Sequence, residues 1–192
     1  TKSFGIAAAY SNLGLMTKLL KFNNTFTKAP ESFGTNFNFR IKNKNGGILK
    51  YYGSFDTNRL GLQDESLEPE TDFDNTSLKG KNTFHNISYR QKLGRYLVNL
   101  GSSYTFNNNL IDLNNTYQES EFNLNSIDIT GNYFNAKGTL ERKINKISAI
   151  RGGIEFNQTR ENTDVAISPV PYSFHDRITS VFAETDIGFS NH

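Results

Sequence analysis

The sequence lacks cysteine and is poor in hydrophobic residues, which make up 35% of its 192 positions. Without cysteine, disulfide bonds and thiolate metal sites are excluded. No stretch approaches 18 consecutive apolar residues, so the sequence predicts no transmembrane helix. The formal net charge is only +2, and Lys and Arg are dispersed along the chain, which argues against a nucleic-acid partner.

Aromatic residues are plentiful by contrast, with 16 Phe and 9 Tyr making up 13% of the chain. A sequence so poor in aliphatic residues would ordinarily be expected to be disordered, but disordered chains are also poor in aromatics. Many aromatic residues, few aliphatic ones and regular turn residues instead predict a β-sheet with water on one face.

Apolar and polar residues alternate with period two along the whole chain, which is the pattern of a strand with two different faces. In the segment 48–59, for example, Tyr51 and Phe55 share one face and Tyr52 lies on the other. Eight such segments predict eight strands, at about 3–11, 33–42, 48–60, 83–91, 95–107, 127–141, 147–158 and 178–190. No repeat and no linker divides the chain, so we expect residues 1–192 to form a single region.

Two segments are irregular. In 127–141 the apolar phase runs through Ile127 at first but through Phe134 later. One extra residue in a strand exchanges its two faces, so we predict a β-bulge near 133–135. In 13–22 a short helix competes with a loop, and the loop is favoured because asparagines flank the segment.

The connections between the predicted strands are short at one end and long at the other. Short basic turns lie at 43–47, 91–95 and 142–146, and polar stretches of roughly twenty residues lie around 61–82, 107–126 and 157–177. A soluble sandwich has no reason to keep all its long loops at one end, whereas an outer-membrane barrel has short periplasmic turns and long extracellular loops. This asymmetry predicts an all-β fold, an antiparallel up-and-down transmembrane β-barrel segment of about eight strands.

Two kinds of side chain gather near the short turns, as expected at a membrane interface. Tyr51, Tyr89 and Tyr96 lie where an aromatic girdle belongs, because a tyrosine ring is apolar and its hydroxyl is polar. Basic residues crowd the same turns and can reach lipid headgroups there: Lys42, Lys44, Lys92, Arg95, Arg142, Lys143 and Lys146. Outer-membrane lipid is therefore an expected partner.

The polar faces of the strands carry the candidate functional residues. A membrane barrel turns its polar face to the lumen, so we predict that Lys50, Asp56, Arg151 and Glu155 face the lumen. Two alternatives give the same alternation and stay open. In a complete eight-stranded outer-membrane barrel with a structural or adhesive role, these four side chains would fill the small lumen as pairs. In a soluble ligand-binding β-barrel, the apolar face would line the interior instead.

No group of residues indicates catalysis, so we expect a protein that is not an enzyme and needs no cofactor. His85 and His175 have no spacing that suggests a nucleophilic triad. The one dense charge cluster could in principle bind Ca²⁺ through alternating oxygen ligands. Its members are Asp64, Glu65, Glu68, Glu70, Asp72 and Asp74. The cluster lacks the glycine and the spacing of a calcium loop, so a solvated loop is favoured.

Five stretches carry a family resemblance: 3–6 (SFGI), 9–15 (AYSNLGL), 30–32 (PES), 46–52 (GGILKYY) and 82–90 (NTFHNISYR). The first three are similar to the region just after the plug in TonB-dependent outer-membrane receptors of the Bacteroidetes type. The last two are similar to early barrel strands of those receptors. The resemblance spans most of the chain and rests on barrel patterns, without an invariant motif.

The resemblance implies a 22-stranded barrel with an N-terminal plug in the bacterial outer membrane. Such a receptor is energised by a TonB complex and imports a small, scarce nutrient: a siderophore, vitamin, oligosaccharide or peptide. At about 24 residues per predicted strand, 22 strands need roughly 500 residues. We therefore expect a partial barrel, with the plug and the remaining strands absent and with unpaired edges at 3–11 and 178–190.

Overall fold

The computed structural model of the chain describes residues 1–19, 25–65, 73–117, 120–145, 148–166, 168 and 170–187; the side chains of 25, 64–65, 73, 115–117 and 120–125 are outside that description. Its elements, in chain order, are β1 (Lys2–Asn12), α1 (Gly14–Leu19), β2 (Thr25–Lys42), β3 (Ile48–Glu65), β4 (Phe73–Leu93), β5 (Tyr96–Tyr117), β6 (Ser120–Lys143), β7 (Ala149–Val165) and β8 (Tyr172–Asp186). Within these ranges, no helix has the length and apolar character needed to cross a membrane.

The eight strands form one antiparallel sheet, in which each strand pairs with the next along the chain from β1 to β8. This arrangement confirms the predicted up-and-down fold and the predicted number of strands. β1 and β8 are the two edges of the sheet. No hydrophobic side chain in the described ranges is buried, so the sheet is a single layer without a core of its own.

Tight turns join the strands at one end of the sheet. Gly94 and Arg95 make a two-residue hairpin between β4 and β5, and Gly94 has a φ of 59°, which glycine adopts without steric cost. In the turn between β2 and β3, the Gly47 backbone N–H donates a 2.6 Å hydrogen bond to Asn43 Oδ1. Both turns lie where the short basic connections were predicted.

At the other end, the strands run further than the sequence predicted. β3 continues to Glu65, β4 begins at Phe73, and only 118–119 separate β5 from β6. The two ends of the sheet differ as expected, but the predicted strand ends came too early. Polar side chains pair across these extensions; Asn108 Nδ2, for example, donates a 2.6 Å hydrogen bond to Asp128 Oδ1. Alternation of apolar residues gives no sign of such polar pairing.

In the part of the sheet nearer the short turns, the strand register places most apolar residues of the eight strands on one face, which we name the outward face. Directly paired residues on this face include Phe4, Phe39, Tyr51 and Ile87 on β1 to β4, and Leu100, Gly138, Ile154 and Val181 on β5 to β8. Phe4 and Val181 expose 82% and 80% of their surface. The opposite, inward face carries the polar residues of the same segments.

The apolar part of the outward face, the apolar band, has the height of a membrane. On β5 it runs from Tyr96 to Phe106, about 11 residues, which is the length of a transmembrane strand. The next outward residue on β5 is Asn108. The band therefore stops well inside a strand that continues to Tyr117.

The outer limit of the apolar band shifts from strand to strand. On β1 this limit lies at Tyr10. Directly paired residues, followed from strand to strand, connect Tyr10 to Asn162 on β7. On β7 the band ends at Phe156, six residues nearer the short turns. The limit thus shifts by about one residue per strand, which is roughly 3.3 Å along the strand for each step of roughly 4.8 Å to the neighbouring strand. This ratio corresponds to strands tilted by about 35°. This tilt is that of a β-barrel wall.

The predicted bulge at 133–135 is wrong. β6 pairs without interruption with β5 and β7 through these residues, and the irregularity in the β5–β6 register lies between Leu113 and Asn114. The change of phase has another cause. Phe134 faces outward at the limit of the apolar band, whereas Ile127 faces inward in the part of β6 beyond the band.

A short helix follows β1, where the sequence ranked a helix below a loop. α1 begins at Gly14, whose backbone N–H donates a 2.8 Å hydrogen bond to Asn12 Oδ1, and this contact satisfies an amide at the helix start. The asparagine that argued for a loop therefore acts as a helix cap.

Candidate functional site

The four side chains predicted to face the lumen share the inward face. Lys50 on β3 is connected to Glu155 on β7 by a row of directly paired residues through Ser88, Gly101 and Lys137. Asp56 and Arg151 lie an even number of residues from Lys50 and Glu155 on the same strands, so they share the inward face. A cavity of about 300 Å³ on this face is lined by residues from five strands, β4 to β8. The sheet is therefore concave on this side, and facing the lumen remains a prediction.

Arg151 is the centre of a charge network across β6, β7 and β8. Its Nη2 lies 3.0 Å from Glu141 Oε2, and its Nη1 lies 3.0 Å from Glu184 Oε2. Beside this network, Lys137 Nζ lies 3.1 Å from Glu155 Oε2 and 4.9 Å from the centre of the Phe182 ring. Exposed pairs of this kind contribute little to stability one by one, but together these contacts link the side chains of three neighbouring strands.

The four predicted residues do not pair with one another. Arg151 and Glu155 take Glu141, Glu184 and Lys137 as partners instead. Lys50 and Asp56 lie on one strand about 20 Å apart, since a strand rises roughly 3.3 Å per residue, which is too far for an ion pair. The pairing that the eight-stranded alternative required is therefore not formed in the described part of the chain.

Amide and hydroxyl groups continue the polar surface above these charges. Asn135 Nδ2 donates hydrogen bonds to Asn157 Oδ1 at 2.6 Å and to Glu155 Oε1 at 3.2 Å. Tyr133 donates through its hydroxyl to Glu161 Oε1 at 2.5 Å. The inward face at and just beyond the outer limit of the apolar band thus offers donors and acceptors to water or to a polar solute.

The two faces exchange character beyond the apolar band, in the strand extensions that we name the outer extension. The inward face there carries a row of directly paired apolar residues, the inner apolar row: Leu60, Leu78, Ile111, Ile127 and Val165. The adjacent outward row is mostly charged: Glu31, Arg59, Lys79, Leu110, Asp128 and Asp164. The outward face of the outer extension is thus suited to water and not to lipid.

An apolar cavity accompanies this reversal. A volume of about 310 Å³ lies against Leu13, Pro30, Leu60 and Leu78 on the inward side of the outer extension. Sequence reasoning missed this surface because it treated 61–82 as loop. The signal that could have found it is the continued alternation of apolar residues on the opposite face from the one used in the apolar band.

The outward face of the outer extension is linked by ionic and polar contacts. Glu31 on β2 accepts a 3.0 Å hydrogen bond from the Tyr10 hydroxyl and lies 2.9 Å from Arg59 Nε. Since Glu31 lies just beyond the end of the apolar band on β2, it is outside the membrane-spanning segment. The pKa of Glu31 is lowered, first by the Tyr10 hydrogen bond; desolvation opposes this, and the charges of Arg59 and Lys28 add to it.

Asp112 makes the equivalent link on β4, β5 and β6. Its Oδ2 accepts from Ser77 Oγ at 3.2 Å and lies 3.5 Å from Lys79 Nζ, and its Oδ1 accepts from Ser126 Oγ at 2.9 Å. These contacts explain why polar residues that were predicted to lie in loops form strands.

One histidine lies within the apolar band. His85 faces outward, and its Nδ1 is 2.8 Å from the Tyr51 hydroxyl. The Tyr51 ring reaches it by lying over Gly53, where a Cβ would stand 2.6 Å from that hydroxyl. Tyr51 also stacks on Phe39, with ring centres 5.3 Å apart. A polar group on the lipid-suited face is thereby given a partner.

The proposed calcium ligands fall mostly outside the described part of the chain. Glu68, Glu70 and Asp72 are not described, and of Asp64 and Glu65 only the backbone in β3 is described. Asp74 lies in β4, two residues after Asp72. In the described part of the chain, no group of three or more His, Asp or Glu side chains is arranged to hold a metal. The calcium hypothesis stays an untested prediction.

A tilted, single-layered, up-and-down sheet with an apolar outward band and a polar concave face has the fold of an outer-membrane β-barrel wall. No protein-family model and no curated protein matches the chain. Solved structures do match in fold. The chain is similar to the copper transporter OprC at 9% identity and a TM-score of 0.68, covering 96% of this chain and 31% of that one.

Two other matches agree. The ferric citrate transporter FecA, in its unliganded form, matches at 10% identity with a TM-score of 0.60, and the ferric yersiniabactin uptake receptor FyuA from Yersinia pestis at 7% with 0.56. Each covers 82% of this chain and 25% of the other. The chain thus spans between a quarter and a third of the length of the proteins that it matches. At these identities, the likeness shows the fold alone.

Proposed function

We propose that this chain forms part of the barrel wall of a TonB-dependent receptor in the bacterial outer membrane, which imports a scarce nutrient. The observation that carries the proposal is the match of the open eight-stranded sheet to a part of uptake receptors and transporters, at TM-scores of 0.56 to 0.68. Large outer-membrane transporters of this kind have 22 strands and a plugged lumen. The resemblance of five sequence stretches to the same family supports the proposal independently.

The proposed partners follow from this role. A plug would occupy the concave inward face, and a TonB complex would act on that plug. The imported ligand would be small: a siderophore, vitamin, oligosaccharide or peptide. We propose transport and not catalysis, and the Bacteroidetes type is part of the proposal on the strength of the sequence resemblance alone.

The alternative of an independent eight-stranded barrel requires β1 to pair with β8. In the described part of the sheet, β1 pairs with β2 alone and β8 with β7 alone. The soluble alternative requires the apolar face to be covered, whereas the outward side chains of the apolar band are exposed. Both observations favour the receptor.

Uptake measurements test the proposal. The gene that encodes this chain is deleted, and growth is measured with iron–siderophore complexes, vitamins, oligosaccharides or peptides as the limiting nutrient, in cells with and without the TonB complex. We expect loss of growth on one nutrient class in both deletion strains. Uptake that depends on this gene but continues without the TonB complex would contradict the proposal.

A further inference from the structure

A large cavity lies between two neighbouring short turns of the sheet. It occupies about 1190 Å³ between the β4–β5 turn and the connection from β6 to β7. Five basic side chains line it: Arg90, Lys92, Arg95, Arg142 and Lys143. It lies at the end of the sheet away from the outer extension, among the basic turn residues that were expected to reach lipid headgroups.

The positive charge of this basic cavity is uncompensated. Its one acidic lining residue, Glu141, already binds Arg151 through two nitrogens at 3.0 and 3.3 Å. Among the ion pairs of the described residues, none includes any of the five basic side chains. Like charges that line one cavity repel one another, so an anion between them would be bound favourably.

The lining of the basic cavity also has an apolar part. Tyr96 and Ile150 face outward at the end of the apolar band, and Ile144 exposes 58% of its surface in the adjoining connection. Arg142 lies over the Tyr96 ring, with its Cζ 5.7 Å from the ring centre. Arg142 faces outward and Arg95 lies in the turn, so these two basic groups stand at the edge of a surface suited to acyl chains. Arg90, Lys92 and Lys143 have inward positions on their strands.

We propose that the basic cavity binds an anionic phospholipid of the leaflet beside the short turns, with its phosphate between Arg95 and Arg142 and its acyl chains along the apolar band. Arginine guanidinium groups match phosphate oxygens with paired N–H donors, which favours phosphate over a simple diffuse charge. The proposal rests on the membrane placement in the proposed function, but it does not depend on what the receptor imports.

Lipid binding by the full-length gene product, purified in detergent, tests the proposal. Native mass spectrometry measures retention of phosphatidylglycerol and of phosphatidylcholine with identical acyl chains, with and without inorganic phosphate as a competitor. A cavity variant carries Arg95→Gln and Arg142→Gln. A control variant removes the same charge from the same end of the sheet, outside the cavity, with Arg40→Gln and Lys50→Gln, which are directly paired on the inward face.

We expect the native protein to bind phosphatidylglycerol at least about tenfold more tightly than phosphatidylcholine, since each basic group near a membrane surface adds substantially to binding of anionic lipid. The cavity variant should lose this preference, and the control variant should keep it. Equal binding of both lipids by the native protein, equal loss in both variants, or displacement of the lipid by inorganic phosphate would each overturn the proposal.

The two proposals fail in different ways. A protein that stays soluble and monomeric without detergent would overturn both the membrane placement and the lipid site. A detergent-dependent protein without lipid preference would overturn the lipid site alone. Heat-dependent mobility in gels, recorded for each variant, shows that a loss of lipid comes from a folded barrel.

Discussion

The apolar band and the outer extension are parts of the same strands, yet their faces have opposite character. On β5, Leu100 faces outward in the band, and Asn108 faces outward eight residues later. On β6, Phe134 faces outward in the band, while Ile127 faces inward in the extension. The difference teaches that alternation with period two identifies a strand, but that the surroundings of the strand decide which of its two faces is apolar.

In the proposed membrane placement, the reversal follows from what lies outside each region. Lipid cannot hydrogen-bond, so outward side chains in the band must be apolar and the backbone must pair within the sheet. Water would surround the outer extension, so charged residues such as Lys79 and Asp128 are tolerated on its outward face. The inner apolar row is then withdrawn from water, and each member is at most half exposed.

The largest predicted effect comes from a charge placed in the apolar band. We expect Leu100→Arg to destabilise the barrel by about 2–4 kcal/mol, because a cation would face the middle of the bilayer. The matched control, Asn108→Arg, adds the same charge on the same strand and face but in the outer extension, and should change stability by less than about 0.5 kcal/mol. Urea unfolding in lipid vesicles measures both, and equal losses would contradict the placement of the membrane.

The next effect tests the inner apolar row. We expect Ile111→Ala to destabilise the outer extension by about 1–2 kcal/mol, less than for a fully buried isoleucine, because this side chain is half-buried among Leu78 and Ile127. Ile87→Ala, on the lipid-suited outward face, should cost clearly less in lipid. Hydrogen exchange of the β5 amides is the measurement. If the Ile87 variant were the less stable one, the inner apolar row would have no packing role.

Alternation alone predicted the eight strands, the shared face of Tyr51, Tyr89 and Tyr96, and the common parity of Lys50 and Glu155. It missed the strand ends beyond the band because it followed the apolar residues of the outward face alone, whereas Asp112 and Asn108 hold that face of the extensions through side-chain hydrogen bonds. Alternation also predicted a bulge at 133–135 that β6 does not have. A bulge and a change of surroundings along a strand both move the apolar residues to the other face, so the sequence pattern is the same in both cases.

The ion pairs of Arg151 have a smaller predicted effect on stability than the apolar contacts of the inner apolar row. We expect Arg151→Met to lower stability by less than Ile111→Ala does, because Glu141 and Glu184 lose their partner while remaining partly in contact with water. The double variant Arg151→Met/Glu141→Gln should recover part of that loss. A double-mutant cycle in urea measures the coupling, and a coupling of zero would show that Arg151 and Glu141 do not stabilise each other.

The smallest effect is the pH dependence of the contact between Glu31, Tyr10 and Arg59. Because the pKa of Glu31 is lowered in the folded protein, its carboxylate adds stability at pH values above the ordinary glutamate pKa of about 4.3. This contribution is lost as pH falls through the lowered, folded-state pKa. Glu31→Gln removes the titrating group without a large change in shape.

Hydrogen exchange of the outer β1 and β2 amides, compared between the native protein and Glu31→Gln at each pH, isolates this contribution from the intrinsic pH dependence of exchange. We expect the native protein to be better protected at pH 7 and the two proteins to converge as the pH falls through the lowered pKa of Glu31. The amides beside Phe37 in the apolar band serve as the internal control and should not differ. If the difference grew as the pH fell, protonated Glu31 would be the form that stabilises the outer extension. The charge on its outward face would then have no stabilising role.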